Sequence, residues 1–297
     1  MIKPVSKSTE FRYLIILHLT VFIWGFTGIL GALISINAVQ LVWFRVGIAS
    51  VSLLIWFLWK KIDIRISKKQ FLQFFFTGSI VAVHWILFFH TIKVANVSVS
   101  LICLSSVTLF TAFIEPFVKK QRLSKADILI GLLIISGIYL IFKFESNYTS
   151  GIIFGLLSAI AASFFSTINS TLVQKNNPAI IGFYELAGAF FWISLFRLWD
   201  GSLLTEGFNL LLNDWLYLFL LSTVCTALAY VAGVAVMRTL SAFRVALITN
   251  LEPVYGILLA FALFGSREQM TGGFYLGALL ILGAVFLYPV YKNRKKR

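Results

Sequence analysis

The chain has few of the groups that soluble proteins display to water. Only 12% of its 297 residues are charged, and only 11 of them are acidic. Hydrophobic residues reach 60% and mean hydropathy is +0.93, more apolar surface than a soluble domain can cover. Its two cysteines, Cys103 and Cys225, both fall inside apolar runs, which gives no support to a disulfide framework or a Cys-rich metal site and reads as small buried residues. Histidine gives no metal pair either. His84 and His90 are six apart, so on a helix they point to different sides. The chain also lacks G-x-S-x-G, H-E-x-x-H and a phosphate-binding glycine loop, and its few acids are scattered; the sequence argues against an enzyme and calls for no cofactor or metal.

What the chain does have is apolar runs, one after another. A helix needs about 20 apolar residues to cross a bilayer core. Ten such spans are predicted, over 13–35, 39–59, 71–92, 97–118, 126–143, 151–173, 179–198, 215–236, 245–264 and 272–291. The first run is too long for a signal-peptide core and lacks a small-x-small cleavage site, so it reads as a span. The expected fold class is an all-α integral membrane protein of ten transmembrane helices.

The net charge of +14 could suggest nucleic acid, but its distribution indicates topology instead. With the N-terminus inside, the inner segments carry 20 basic residues, against Lys93, Lys143, Arg197 and Arg267 outside. Both termini are therefore expected in the cytoplasm, and no segment has the length of a soluble domain.

The two halves share spacing rather than identity. A shift of 140 places Trp43-Phe44-Arg45 on Phe183-Tyr184-Glu185 and Thr27 on Thr167. A shift of 145 places Lys93 on Arg238 and Thr108 on Pro253, and one further residue aligns Gly131/Gly137 with Gly277/Gly283. Five spans per half is an odd number, so the second half is inverted.

These residues carry a resemblance to the drug/metabolite transporter superfamily, specifically the ten-helix EamA-type carriers, over about residues 12–291. Its marks are Trp24-Gly25, Arg45-x3-Ala49, Gly131-x5-Gly137, Leu251-Glu252-Pro253-Val254-Tyr255 and Gly277-x5-Gly283. Thr108 stands where many members carry a proline, and Ser266 where an acidic residue is common. The resemblance implies a first repeat over 12–144, a second over 150–291 and a basic cytoplasmic tail over 292–297. It implies a central cavity lined by spans 1, 3, 4, 6, 8 and 9, with spans 2 and 7 moving and 5 and 10 as supports. It also implies a secondary active transporter working by alternating access in the bacterial inner membrane, an exporter of small polar metabolites such as amino acids. The alternatives are an uptake carrier of the same fold and a non-transporting receptor or scaffold. The expected partners are a small-molecule substrate, the bilayer and a coupling ion such as the proton, with no nucleic acid; a homodimer is compatible with the chain.

An ionisable group in hydrocarbon needs a partner, a wet cavity or a route to the interface. Glu252 lies eight residues past Arg244, about 12 Å along the helix and beside Pro253, where it either meets a cationic group or proton or makes a structural hydrogen bond. Arg45 and Glu185 occupy related places near opposite faces, as gate elements or, for Arg45, as a snorkelling side chain. His84, with Trp85 beside it, either lines the cavity or is a hydrogen-bonded core histidine. Glu115 reads as part of a surface charge cluster with Lys119 and Lys120. Trp24, Tyr230 and Tyr255 are candidate stacking groups, and Thr27, Thr108, Asn169 and Asn250 are polar candidates for substrate binding or coupling, or glue between helices.

Overall fold

A computed structural model of the protein describes residues 7–120, 125–208 and 210–294. Lys3, Arg122 and residues 295–297 of the basic tail lie outside the described residues. The ordered elements are α1 (Lys7–Leu33), α2 (Ala38–Lys60), α3 (Lys68–Val94), α4 (Val97–Leu104), α5 (Val107–Val118), α6 (Lys125–Phe144), α7 (Thr149–Leu172), α8 (Pro178–Trp199), the short α9 (Ser202–Thr205), α10 (Leu212–Ser222), α11 (Ala229–Val236), α12 (Ala242–Thr249), α13 (Leu251–Phe264) and α14 (Gly272–Arg294). Among the described residues there is no strand. Eight segments are long and apolar enough to cross a membrane, and two shorter apolar helices, Leu129–Phe144 and Gly272–Ala284, lie within α6 and α14. Together they occupy the ten predicted spans.

Local chemistry sets the helix starts. Asn37, Asn96, Asn177 and Ser241 each accept a backbone N–H of the first turn of α2, α4, α8 and α12, and Ser67 forms a reciprocal capping box with Gln70 at α3. The caps keep the register of the repeat: Asn37 and Asn177 are 140 apart, Asn96 and Ser241 145 apart. α2, with 23 residues, is about 34 Å long, enough for the hydrocarbon core. Exposed side chains such as Leu132, Ile135 and Leu279 on the outer surface are what a lipid-facing wall requires, and Trp59 and Trp199 sit at helix ends where an interfacial ring belongs.

Two spans are broken in mid-course. The fourth consists of α4 and α5, interrupted at Ser105–Ser106, and the ninth of α12 and α13, interrupted at Asn250. Pro253 explains the second break, since it has no N–H for the Thr249 carbonyl. The first break has no proline but falls at the equivalent place, Ser105 being 145 residues before Asn250. The breaks are joined: Asn250 Nδ2 donates to Thr108 Oγ1 at 2.6 Å. The eighth span contains a π-helical turn, Thr223–Leu228, between α10 and α11.

Packing repeats across the halves. α1 lies against α11 and α13, as α7 lies against α3, α4 and α5; α2 packs on α8, and α6 on α14. At the last contact Gly137 and Gly277 meet reciprocally. A Cβ on either would lie 2.7 Å from the other's carbonyl oxygen, and each faces the isoleucine four residues beyond the other, Ile281 and Ile141. Across this contact Gly137 faces Gly277, whereas the alignment expected from spacing matches Gly131 with Gly277 and Gly137 with Gly283. Gly131 packs instead on Leu109 and Phe113, and Gly283 meets nothing within 4 Å. Equal spacing of two small residues on one face is common in membrane helices, so it does not fix a register.

The helix ends form a basic side and an acidic side. On the acidic side carboxylates fasten the spans together. Asp214 accepts from the Ser35 N–H (2.8 Å) and hydroxyl (2.6 Å), Glu206 from Asn37 (2.6 Å) and Arg197 (3.1 Å), Glu268 from the Val97 and Ser98 N–H groups at the start of α4, and Glu145 from Thr271. Lys93 donates to the Ile34 carbonyl.

Candidate functional site: a central cavity lined by Arg45 and Glu252

Seven spans surround one central cavity of about 840 Å³, its open mouth included. It is lined by Trp24 and Thr27 from α1, Arg45 from α2, His84, Trp85 and Phe88 from α3, Asn169 and Phe165 from α7, Tyr230 from α11, and Val245, Thr249 and Glu252 from α12 and α13, with Leu104 and Val107 at the break of the fourth span. The lining reaches Met237 and Val245 at the basic side and stops short of the acidic side. The sixfold set of spans implied by the resemblance is present, with the second span added through Arg45.

Arg45 is 1% exposed and does not snorkel. Its guanidinium lies over the Trp85 ring, 4.0 Å from the centroid, Phe89 stands 5.3 Å away, and Nε donates to Thr226 Oγ1 at 2.6 Å. The π turn aims that threonine, which also donates to the Leu221 carbonyl at 2.7 Å, five residues back. Nη1 is buried with no hydrogen-bond partner. Glu252 also borders the cavity, and it makes no ion pair within 4.0 Å among the described residues. A guanidinium and a carboxyl group therefore line one space with no ion pair between them.

Glu185 is fully buried directly behind the wall. Its Oε2 accepts from the Tyr230 hydroxyl at 2.6 Å and from Asn169 Nδ2 at 3.0 Å, and both donors line the cavity. The related positions Arg45 and Glu185 thus lie beside one chamber at different depths, rather than at its two mouths. Their aromatic neighbours are related as well: Trp85 and Tyr230 are 145 residues apart and touch, ring centroids 5.6 Å apart. In one half a cation rests on an aromatic face; in the other a carboxylate accepts from an aromatic hydroxyl.

His84 satisfies both of its expected readings. Nδ1 lies 3.0 Å from the Ser158 carbonyl, which can only accept, so this nitrogen carries hydrogen, and the ring borders the cavity. Besides Glu185, three candidates stand outside the lining. Thr108 and Asn250 bond to each other across the broken spans, and Tyr255 packs against Gly25 and Phe22 on α1. Glu115 pairs with Lys119 at 2.5 Å, but its carboxylate is buried and also accepts the Phe243 N–H at 2.8 Å, holding the start of α12; it is a helix anchor as well as part of a charge cluster.

Sequence reasoning passed over the apolar lining, Phe165, Met237, Val245 and Ala246. A signal for it was present. Val245, Thr249 and Glu252 follow i, i+4, i+7, and Ala162, Phe165, Ser166 and Asn169 follow the same period, so the face of one polar candidate names its neighbours.

A solved structure titled only as the crystal structure of a protein has a TM-score of 0.70 to this chain at 14% identity, covering 98% of this chain and 100% of its own, which establishes a shared fold. No curated protein matches the sequence. The EamA-like transporter family matches twice, over residues 11–143 and 149–288, one match for each set of five spans. Ten apolar spans in two repeats around a central chamber are the architecture of that match, and the chain belongs to the EamA-like transporter family.

Proposed function

We propose that this membrane transporter exports small zwitterionic metabolites, amino acids in the first place, across the bacterial cytoplasmic membrane by alternating access. The observation that carries this reading is the unpaired Arg45 and Glu252 facing one cavity. A zwitterion supplies a carboxylate for the buried Nη1 of Arg45 and an ammonium for Glu252, and charge-assisted hydrogen bonds are the strong ones in a site from which water is largely excluded. The lining around them, Phe165, Met237, Val245 and Ala246, suits an apolar side chain.

Arg45 and Glu185 sit on α2 and α8, the second and seventh spans, which the resemblance assigns to motion. Their gate role then consists in telling those spans whether the site is filled. The basic side is the cytoplasmic one under the positive-inside rule, and the cavity reaches toward it, so this conformation loads from the cytoplasm, as an exporter must. The proposed repeat limits are 12–144 and 150–291.

The test is flux in liposomes carrying the purified protein, with a panel of neutral α-amino acids, their amides and their des-amino acids. The amino acids move; both truncated sets move at least about tenfold more slowly, because each leaves one charge of the pair unanswered. Glu252→Gln abolishes the preference for an ammonium group with normal folding. Equal rates for amino acids and amides, or no flux of any member, would overturn the reading.

A further inference from the structure

The cluster behind the cavity wall has a hydrogen-bond deficit. Tyr230 has one hydrogen and donates it to Glu185 Oε2. Asn169 Nδ2 has two, and gives them to Glu185 Oε2 and to the Tyr230 oxygen at 3.3 Å. All three donors are used, while two buried acceptors, Glu185 Oε1 and Asn169 Oδ1, have no partner. Buried acceptors are nearly always satisfied in native structures, so a group of them in one place signals a missing donor.

No cation supplies it. α7 carries no charged residue, α11 offers only Tyr230, and α3 brings His84, whose Nδ1 is held by Ser158, and His90, set edge-on to Phe154 at 4.7 Å, with Lys68, Lys69 and Lys93 toward its ends. On α2, Arg45 is turned onto Trp85 and Lys60 onto Trp59, at 4.0 Å each; on α8 itself Arg197 pairs with Glu206 at 3.1 Å and Tyr184 bonds to the Ile64 carbonyl. No basic nitrogen of the described residues lies within ion-pairing distance of Glu185. A bare carboxylate there would leave an uncompensated charge in the membrane interior.

A single proton answers both the charge and the missing donor. We propose that Glu185, with Tyr230 and Asn169, is a proton-binding site in the cavity wall, separate from the Arg45 and Glu252 pair, and that Tyr230 connects it to the cavity. The carboxylate takes a proton from water in the cavity and becomes a neutral acid; release returns that proton to water and restores the anion. The site gives the proposed carrier its coupling ion and rests on that reading for its role, but not for its existence.

The decisive measurement is an infrared titration of the purified full chain in detergent with no substrate present. The parent has a protonated-carboxyl C=O band that is lost as pH rises. Glu185→Gln loses a component of the band, Glu252→Gln retains that component, and Tyr230→Phe retains it at a shifted frequency, one hydrogen bond having been removed. A Glu185→Gln spectrum identical to the parent at every pH would overturn the proposal. If that variant does not fold, Tyr230→Phe decides: an unmoved band refutes the site. A normal band in a protein that moves no amino acid would retain the proton site and sink the carrier reading instead.

Discussion

Replacing Arg45 by methionine tests whether this charge serves the fold or the ligand. In the folded protein the guanidinium gains a desolvated contact with Trp85, about 2 kcal/mol, and a charge-assisted hydrogen bond to Thr226, about 1.5–3 kcal/mol. Against these stands the cost of an ion without a paired counter-ion in a low-dielectric interior, again several kcal/mol. The two sides are comparable, so exchange for an apolar side chain of similar volume gives up the contacts and the desolvation cost together. Arg45→Met is therefore expected to melt at or above the parent temperature in detergent. Substrate binding has no such compensation. Loss of one charge-assisted hydrogen bond from the carboxylate weakens the affinity for a neutral α-amino acid by about 10- to 140-fold, read as the half-saturation of liposome flux. A variant that melts far below the parent and keeps its half-saturation would refute the argument and make Arg45 a structural anchor.

Topology can be read with cysteine chemistry, because Cys103 and Cys225 are both buried and leave the parent silent. Thr205→Cys should react with an impermeant maleimide on intact cells and Arg65→Cys only after permeabilisation; the reverse pattern would turn the protein over. Gly78→Ala should loosen the seat of Glu185, since the new Cβ would collide with the Glu185 carbonyl and lie 2.9 Å from the Ala189 nitrogen, contacts between backbones that cannot rotate away. The expected loss is about 1–3 kcal/mol, seen as a lower melting temperature, and an unchanged melt would show that α3 and α8 separate freely.

Much of the architecture was legible because the bilayer imposes it locally. Span length and hydropathy are properties of consecutive residues, and all ten spans were readable from them. Candidates such as Trp24, Arg45 and Glu252 were visible as polar or aromatic groups where hydrocarbon should be. Tertiary pairing was not. Nothing near Asp214 in the sequence points to Ser35, and nothing near Arg45 points to Thr226, which faces it only because a π turn rotates the helix. The break at Asn250 was legible through Pro253, whereas its counterpart at Ser105–Ser106 has no proline to announce it.

Trp85 and Tyr230, touching across the pseudo-twofold, have a consequence for the state not seen. In an inverted repeat whose halves exchange conformations, groups on the axis stay in place while those beside it trade surroundings. At present Arg45 borders the chamber and Glu185 lies behind its wall. Were the proposed carrier to exchange the conformations of its halves, Arg45 would pass to the position behind the wall and Glu185 to the one at the lining. One rocking motion would then change which of these two groups the chamber reaches, while the Trp85–Tyr230 contact between them stays.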